Sequence, residues 1–250
     1  MRTRPLTEVG RPATARLVLA VGGDVASILT ACLLLGSFGF MLLSTSRQRH
    51  EPLPPMTARA TSTPVDMVTT TSRATLNNGH PTVALVEFAD YQCPYCERFE
   101  SETVQRIRSE FVDTGRVAYV FRHFPLDTIH TNARHASEIA ECAARQNQFW
   151  PVHSYLFSVK GLTDDATVFG GGALAGIDEH LLQNCVERGG GRDGVQTDAT
   201  EGRRLGVKGT PTIFIGPIAA DGTIRLRRRI VGAVSYDALR QAIEAALNQP

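Results

Sequence analysis

Val86-Glu87-Phe88-Ala89-Asp90-Tyr91-Gln92-Cys93-Pro94-Tyr95-Cys96 is the stretch that decides the fold. It closes an apolar run over residues 82–88 and passes at once into helical periodicity, with Phe99, Thr103, Ile107 and Phe111 on one face and Gly115 as the stop. A C-x-x-C pair at a strand-to-helix junction is a redox signal. The first turn of a helix leaves backbone N–H groups unpaired and carries about half a positive charge, so a thiolate placed there is stabilised. Cys93 is therefore the expected nucleophile, with a lowered pKa. Cys96 returns beside it one turn later, close enough to form and reopen a disulfide. Pro94 suits the first helical position, where the N–H it lacks would have been unpaired in any case.

The competing use of C-x-x-C is half of a zinc site, which needs a second close pair of ligands. None exists: Cys142 and Cys185 stand alone, and His123, His130, His135 and His153 do not fall at ligand spacing. No metal and no cofactor beyond the redox-active disulfide itself is expected.

The chain has 250 residues and a formal charge of +1, which argues against a polyanionic partner such as nucleic acid. Arg225, Arg227, Arg228 and Arg229 read as the solvated face of a strand. Between Asp24 and Arg47 lie 22 uncharged residues rich in Leu, Phe and Ile. At helical rise they span about 33 Å, enough to cross a bilayer. A cleaved signal with secretion of the remainder is the alternative, but its apolar region would run only about 7 to 15 residues. Residues 25–46 are thus expected to form a single-pass anchor, and Arg2, Arg4, Arg11 and Arg16 put residues 1–24 in the cytoplasm. Residues 47–80, rich in Pro and Thr, read as a flexible linker. The rest lies outside the cell membrane, where disulfides persist. Cys142 and Cys185 are expected to bridge there, closing a loop of about 43 residues for about 4 kcal/mol in the chain-entropy model.

Beyond residue 81, strand and helix alternate. Strands are expected at 82–88 and 117–123, and helices at 93–113, 132–145, 149–159, 178–186 and 193–205. A hairpin follows, with strands at 212–215 and 224–231 around Asp221-Gly222, and a helix at 236–247 closes the chain. This is an α/β architecture with a helical subdomain inserted over about 126–205.

With the cysteine stretch and Gly206-Val207-Lys208-Gly209-Thr210-Pro211-Thr212 both in view, residues 81–248 resemble the DsbA-like thiol:disulfide oxidoreductases. Phe124-Pro125-Leu126, His130, Ala140-Glu141-Cys142-Ala143 and the segment 146–150 carry the same resemblance, while Thr131 stands where proline is expected. The resemblance implies a thioredoxin-like fold with an inserted α-helical subdomain. It implies a cis bond between Thr210 and Pro211 facing Cys93, with substrate bound against Thr210, Pro211, Pro94 and Tyr95. It implies exported, cysteine-bearing protein substrates and a quinone-linked membrane partner that reoxidises the pair.

Glu87 carries two readings. Strand alternation turns it away from Val86 and Phe88, toward solvent, whereas the resemblance implies a partly buried acid beneath Cys96 that relays protons. The direction of electron flow is open as well. A disulfide donor fits best, a reductase or isomerase would use the same site, and Tyr95 lacks the positive charge a histidine there would bring. A tethered binding module with a static Cys93–Cys96 bridge is the reading from another class.

Overall fold

The run Val83–Ala89 is buried along its whole length, as is Val117–His123. Strands covered on both faces read as nearly continuous apolar sequence, not as alternation. The computed structural model describes residues 67–69, 74–161 and 176–249. In chain order they form β1 (Met67–Thr69), β2 (Thr75–Leu76) and β3 (Val83–Ala89), followed by a helical run, α1, made of Pro94–Phe99, Glu100–Val104, Gln105–Ile107 and Arg108–Val112. β4 (Val117–His123) is followed by α2 (Ala133–Ala144), α3 (Phe149–Ser158), α4 (Glu179–Glu187) and α5 (Arg192–Arg204). β5 (Thr212–Pro217), β6 (Thr223–Arg225), β7 (Arg228–Val231) and α6 (Tyr236–Leu247) complete the described chain.

The main sheet has the order β2-β4-β3-β5-β7, with β3 in the centre. β3 runs parallel to β4 through the α1 crossover, and β5 lies antiparallel on its other side, with Glu87 opposite Phe121 and Ile213. One face, with Val83, Leu85, Tyr119 and Ile213, packs on Phe99, Ile107 and Phe111 of α1 and on Leu239 and Ile243 of α6. The other face, with Ala84, Val86, Phe88 and Val120, packs on Ala199, Leu205 and Phe124. α5 reaches this face through Gly202, where an added Cβ would come within 2.6 Å of the Phe124 ring. A third apolar cluster joins the cysteine turn to α2, α3 and α4 through Tyr91, Phe121, Ile139, Phe149, Leu156 and Leu182. The Cys142–Cys185 disulfide ties α2 to α4.

Three expectations change. Residues 67–76 fall in the segment read as linker, yet β1 pairs with β6, β2 pairs with β4, and Val68 and Ala74 are buried. Strands of two and three residues are too short to show a period. The single strand expected at 224–231 is two, parted at Leu226 and Arg227. β6 turns away to pair with β1 while β7 stays on β5, and Gly216 allows the close crossing, since a Cβ there would lie 1.8 Å from the Arg225 carbonyl oxygen. The helix expected at 93–113 contains two π-helical segments, Glu100–Val104 and Arg108–Val112. The expected anchor at 25–46 lies outside the described residues, as do residues 1–24. Among the described residues, no helix is long and apolar enough to cross a membrane.

Candidate active site

The turn between β3 and α1 is knotted by one buried side chain. Asp90 accepts the Gln92 N–H at Oδ1 (2.7 Å) and the Leu126 N–H at Oδ2 (2.8 Å), and the same Oδ2 meets His130 Nδ1 at 2.9 Å. Its backbone oxygen accepts the Cys93 N–H at 3.1 Å. Cys93 thus leaves the turn in extended conformation (φ −74°, ψ 117°) and caps α1, its carbonyl accepting the N–H groups of Cys96 and Glu97, with Pro94 opening the helix. Cys96 follows on the buried side, and both cysteines are free thiols.

Across the turn lies the loop before β5. The Cys93 sulfur lies 3.4 Å from the Thr210 carbonyl oxygen, to which its thiol donates when protonated, the Thr210-Pro211 bond is cis, and the buried Thr210 hydroxyl, which meets no nitrogen or oxygen partner among the described residues, acts on the Cys93 sulfur. Tyr95 is 53% exposed on the outside of the same turn. The structure therefore brings Cys93, Cys96, Pro94, Tyr95, Thr210 and Pro211 to one place.

The two thiols differ sharply. The Cys93 pKa is lowered to about 6, chiefly because the Cys96 thiol hydrogen-bonds to it. Burial opposes this, and the Thr210 side chain and the N–H groups of Cys96 and Tyr95 add to it. Cys96 is pushed well up by burial first and by the neighbouring Cys93 second. At neutral pH Cys93 is the thiolate and Cys96 the thiol.

Glu87 is buried, so the solvent-facing reading is corrected: β3 has no wet face. Its Oε2 accepts the Tyr119 hydroxyl at 2.6 Å. Burial raises its pKa to about 8, the Glu100 charge adds to this, the Tyr119 hydrogen bond opposes it, and Cys93 contributes a further increase. Sequence reasoning singled out neither Asp90, Tyr119 nor Glu100. One signal was available: Glu100 stands four residues after Cys96, on the same face of α1.

Among the described residues, His123, Glu141 and Asp198 form one group whose ligand atoms lie within 4.8 Å of one another. Asp198 already accepts Arg122 Nη1 and the His123 backbone N–H, each at 3.0 Å. A cation would have to face that guanidinium, and we assign no metal to the group.

The family model described as thioredoxin matches residues 74–245. The Na(+)/H(+) antiporter NhaA 3 of Salinispora tropica is 34% identical over 169 residues, 66% of this chain but 23% of the antiporter. The chain thus spans about a quarter of the length of the antiporters it matches. Disulfide bond formation protein D of Bacillus subtilis is 26% identical over 177 residues, covering 66% of this chain and 72% of that protein. The crystal structure of oxidised BdbD from Bacillus subtilis superposes with a TM-score of 0.63 at 22% identity, covering 76% of this chain and 99% of BdbD. The match over residues 74–245, the capped cysteine pair facing the 210–211 bond, and the helices inserted between β4 and β5 lead to one assignment: the chain belongs to the thioredoxin family, with the architecture of its DsbA-like thiol:disulfide oxidoreductases.

Proposed function

We propose that the chain is a thiol:disulfide oxidoreductase, held at the outer face of the cell membrane by residues 25–46, that passes the Cys93–Cys96 disulfide to exported proteins. The observation that carries this reading is the split between the cysteines, with Cys93 near 6 and Cys96 driven upward. A substrate thiolate attacks the Cys93 sulfur, the Cys93–Cys96 bond breaks, and its electron pair goes to the Cys96 sulfur. That buried sulfur needs a proton, and Glu87, still protonated at neutral pH, supplies it. The second substrate thiolate then attacks its own sulfur linked to Cys93 and expels Cys93, a good leaving group because its thiolate is stabilised. The substrate gains a disulfide, the enzyme holds two more electrons, and a quinone-linked membrane partner takes them away. An extended substrate segment would lie beside the Thr210 backbone and the exposed ring of Tyr95.

Stabilising the reduced form makes a thiol pair oxidising. The reduction potential of the full-length chain, equilibrated with glutathione buffers, is expected to be more oxidising than about −200 mV. A value near about −270 mV would reverse the proposed direction and favour a reductase.

The anchor makes a separate prediction. After an alkaline carbonate wash, the full-length chain is expected in the membrane fraction with an N-terminus ahead of residue 25. A soluble product starting beyond residue 46 would mean secretion after cleavage.

A further inference from the structure

Behind the cysteines, two buried polar atoms face each other. Glu100 Oε2 on α1 and His153 Nε2 on α3 stand 3.6 Å apart, and among the described residues neither has a hydrogen-bond partner. The other ends are fixed: Glu100 Oε1 accepts Gln105 Nε2 at 2.7 Å, and His153 Nδ1 lies 3.1 Å from the Tyr91 hydroxyl. Rings of Phe121, Phe149, Trp150 and Phe157 enclose the imidazole.

Leaving two such atoms unpaired in a dry interior is costly, and one proton between them removes the cost. If the Tyr91 hydroxyl donates to Nδ1, the imidazole proton sits on Nε2. The Nε2 proton of a neutral imidazole then points at the Glu100 carboxylate across 3.6 Å, while Glu100 Oε1 and His153 Nδ1 keep their partners. Burial holds His153 below its ordinary value, in keeping with that neutral form. Among the described residues, the other titratable groups coupled to the pair include Tyr91 from the cysteine turn, Glu87 from β3, Tyr119 and His123 from β4, and Arg108 from α1.

We propose that Glu100 and His153 are positioning residues for the exchange reaction: the imidazole holds Glu100 as a buried carboxylate, and that fixed charge keeps Glu87 a proton donor to Cys96. This rests on the oxidoreductase reading above. Glu87 gives up its proton only by creating a second negative charge beside the first, so it stays protonated until the Cys96 thiolate appears. The proton passes from the Glu87 carboxyl to the Cys96 sulfur as the Cys93–Cys96 bond breaks, and Glu100 and His153 neither gain nor lose one. Without the imidazole N–H, nothing faces Glu100 Oε2 and its carboxylate is no longer held in place beside Glu87. Its repulsion of Glu87 then fades, and Glu87 ionises at lower pH.

The test is the pH profile of single-turnover oxidation of a dithiol peptide by the oxidised full-length chain. Activity falls on the alkaline side as Glu87 loses its proton. His153→Phe and Glu100→Gln are each expected to move that fall to lower pH by about one unit, a tenfold change in proton affinity. His153→Gln, whose amide N–H can face Glu100, is expected to restore the original profile. An unmoved fall in a folded His153→Phe chain overturns the proposal alone, whereas a wild-type chain inert at every pH overturns the oxidoreductase reading and the proposal with it. Should the variants not fold, nitrogen-15 NMR of the wild-type histidines decides. A proton on His153 Nε2 with Nδ1 bare supports the proposal, and a proton on Nδ1 overturns it.

Discussion

Cys96→Ser is expected to stop the reaction at the mixed disulfide. Cys93 remains, capping α1 and facing the Thr210 hydroxyl and the first N–H groups of the helix, and serine retains a hydroxyl that can donate to it. With a pKa of about 6, Cys93 is roughly ten parts thiolate to one part thiol at pH 7. It therefore attacks a substrate disulfide, and no second cysteine is present to release the adduct. Turnover falls to background, while covalent adducts accumulate in an extracytoplasmic extract and appear on a non-reducing gel. Alkylation of Cys93 in the reduced wild-type chain is expected to be half-maximal near pH 6. In Cys96→Ala, which lacks the leading hydrogen-bond donor, it shifts to higher pH. Absence of adducts together with half-maximal alkylation near pH 9 would point to a static bridge in a binding module.

Glu87→Gln is expected to slow exchange and to stabilise the fold at alkaline pH. The amide still accepts the Tyr119 hydroxyl but has no acid proton for Cys96, so the exchange rate at pH 7 falls on the order of 10²-fold. Stability follows from the shift of Glu87 from 4.5 to about 8. Between those values the folded chain holds a proton that the unfolded chain releases, so stability declines as pH rises through that window. The full difference is about 5 kcal/mol. Chemical denaturation at pH 5 and pH 8 measures it, using the oxidised chain so that neither active-site thiol titrates. The wild type is expected to lose several kcal/mol more than Glu87→Gln across this range, and equal losses in both would mean that Glu87 is charged throughout.

The parts of this architecture legible in the sequence are those where one local rule acts alone. The junction at Cys93 combines an apolar run, a capping position and a proline at the first helical residue, and each points to the same turn. The helices of the insertion show in the spacing of Leu181, Leu182 and Cys185 and in the alanine-rich segment before Arg145, within a residue or two of their observed ends. Glu87 is ambiguous in the sequence because its burial depends on what covers β3, and that cover comes from the packing of α1, which follows β3 directly, together with α6, remote in sequence. Glu100 and His153 are about 50 residues apart and meet only when α3 folds against α1. β1 and β2 were missed because pairing with β6 and β4, not their own composition, makes them strands.

The inserted helices leave and rejoin the sheet at the end that bears the cysteines. On the way out, the Phe124 N–H bonds to Ala89 and the Leu126 N–H to Asp90; on the way back, the chain passes through Thr210, whose carbonyl meets Cys93. Both ends of the insertion are therefore stitched to the redox turn, so the turn is the joint at which the sheet and the inserted helices are fastened together.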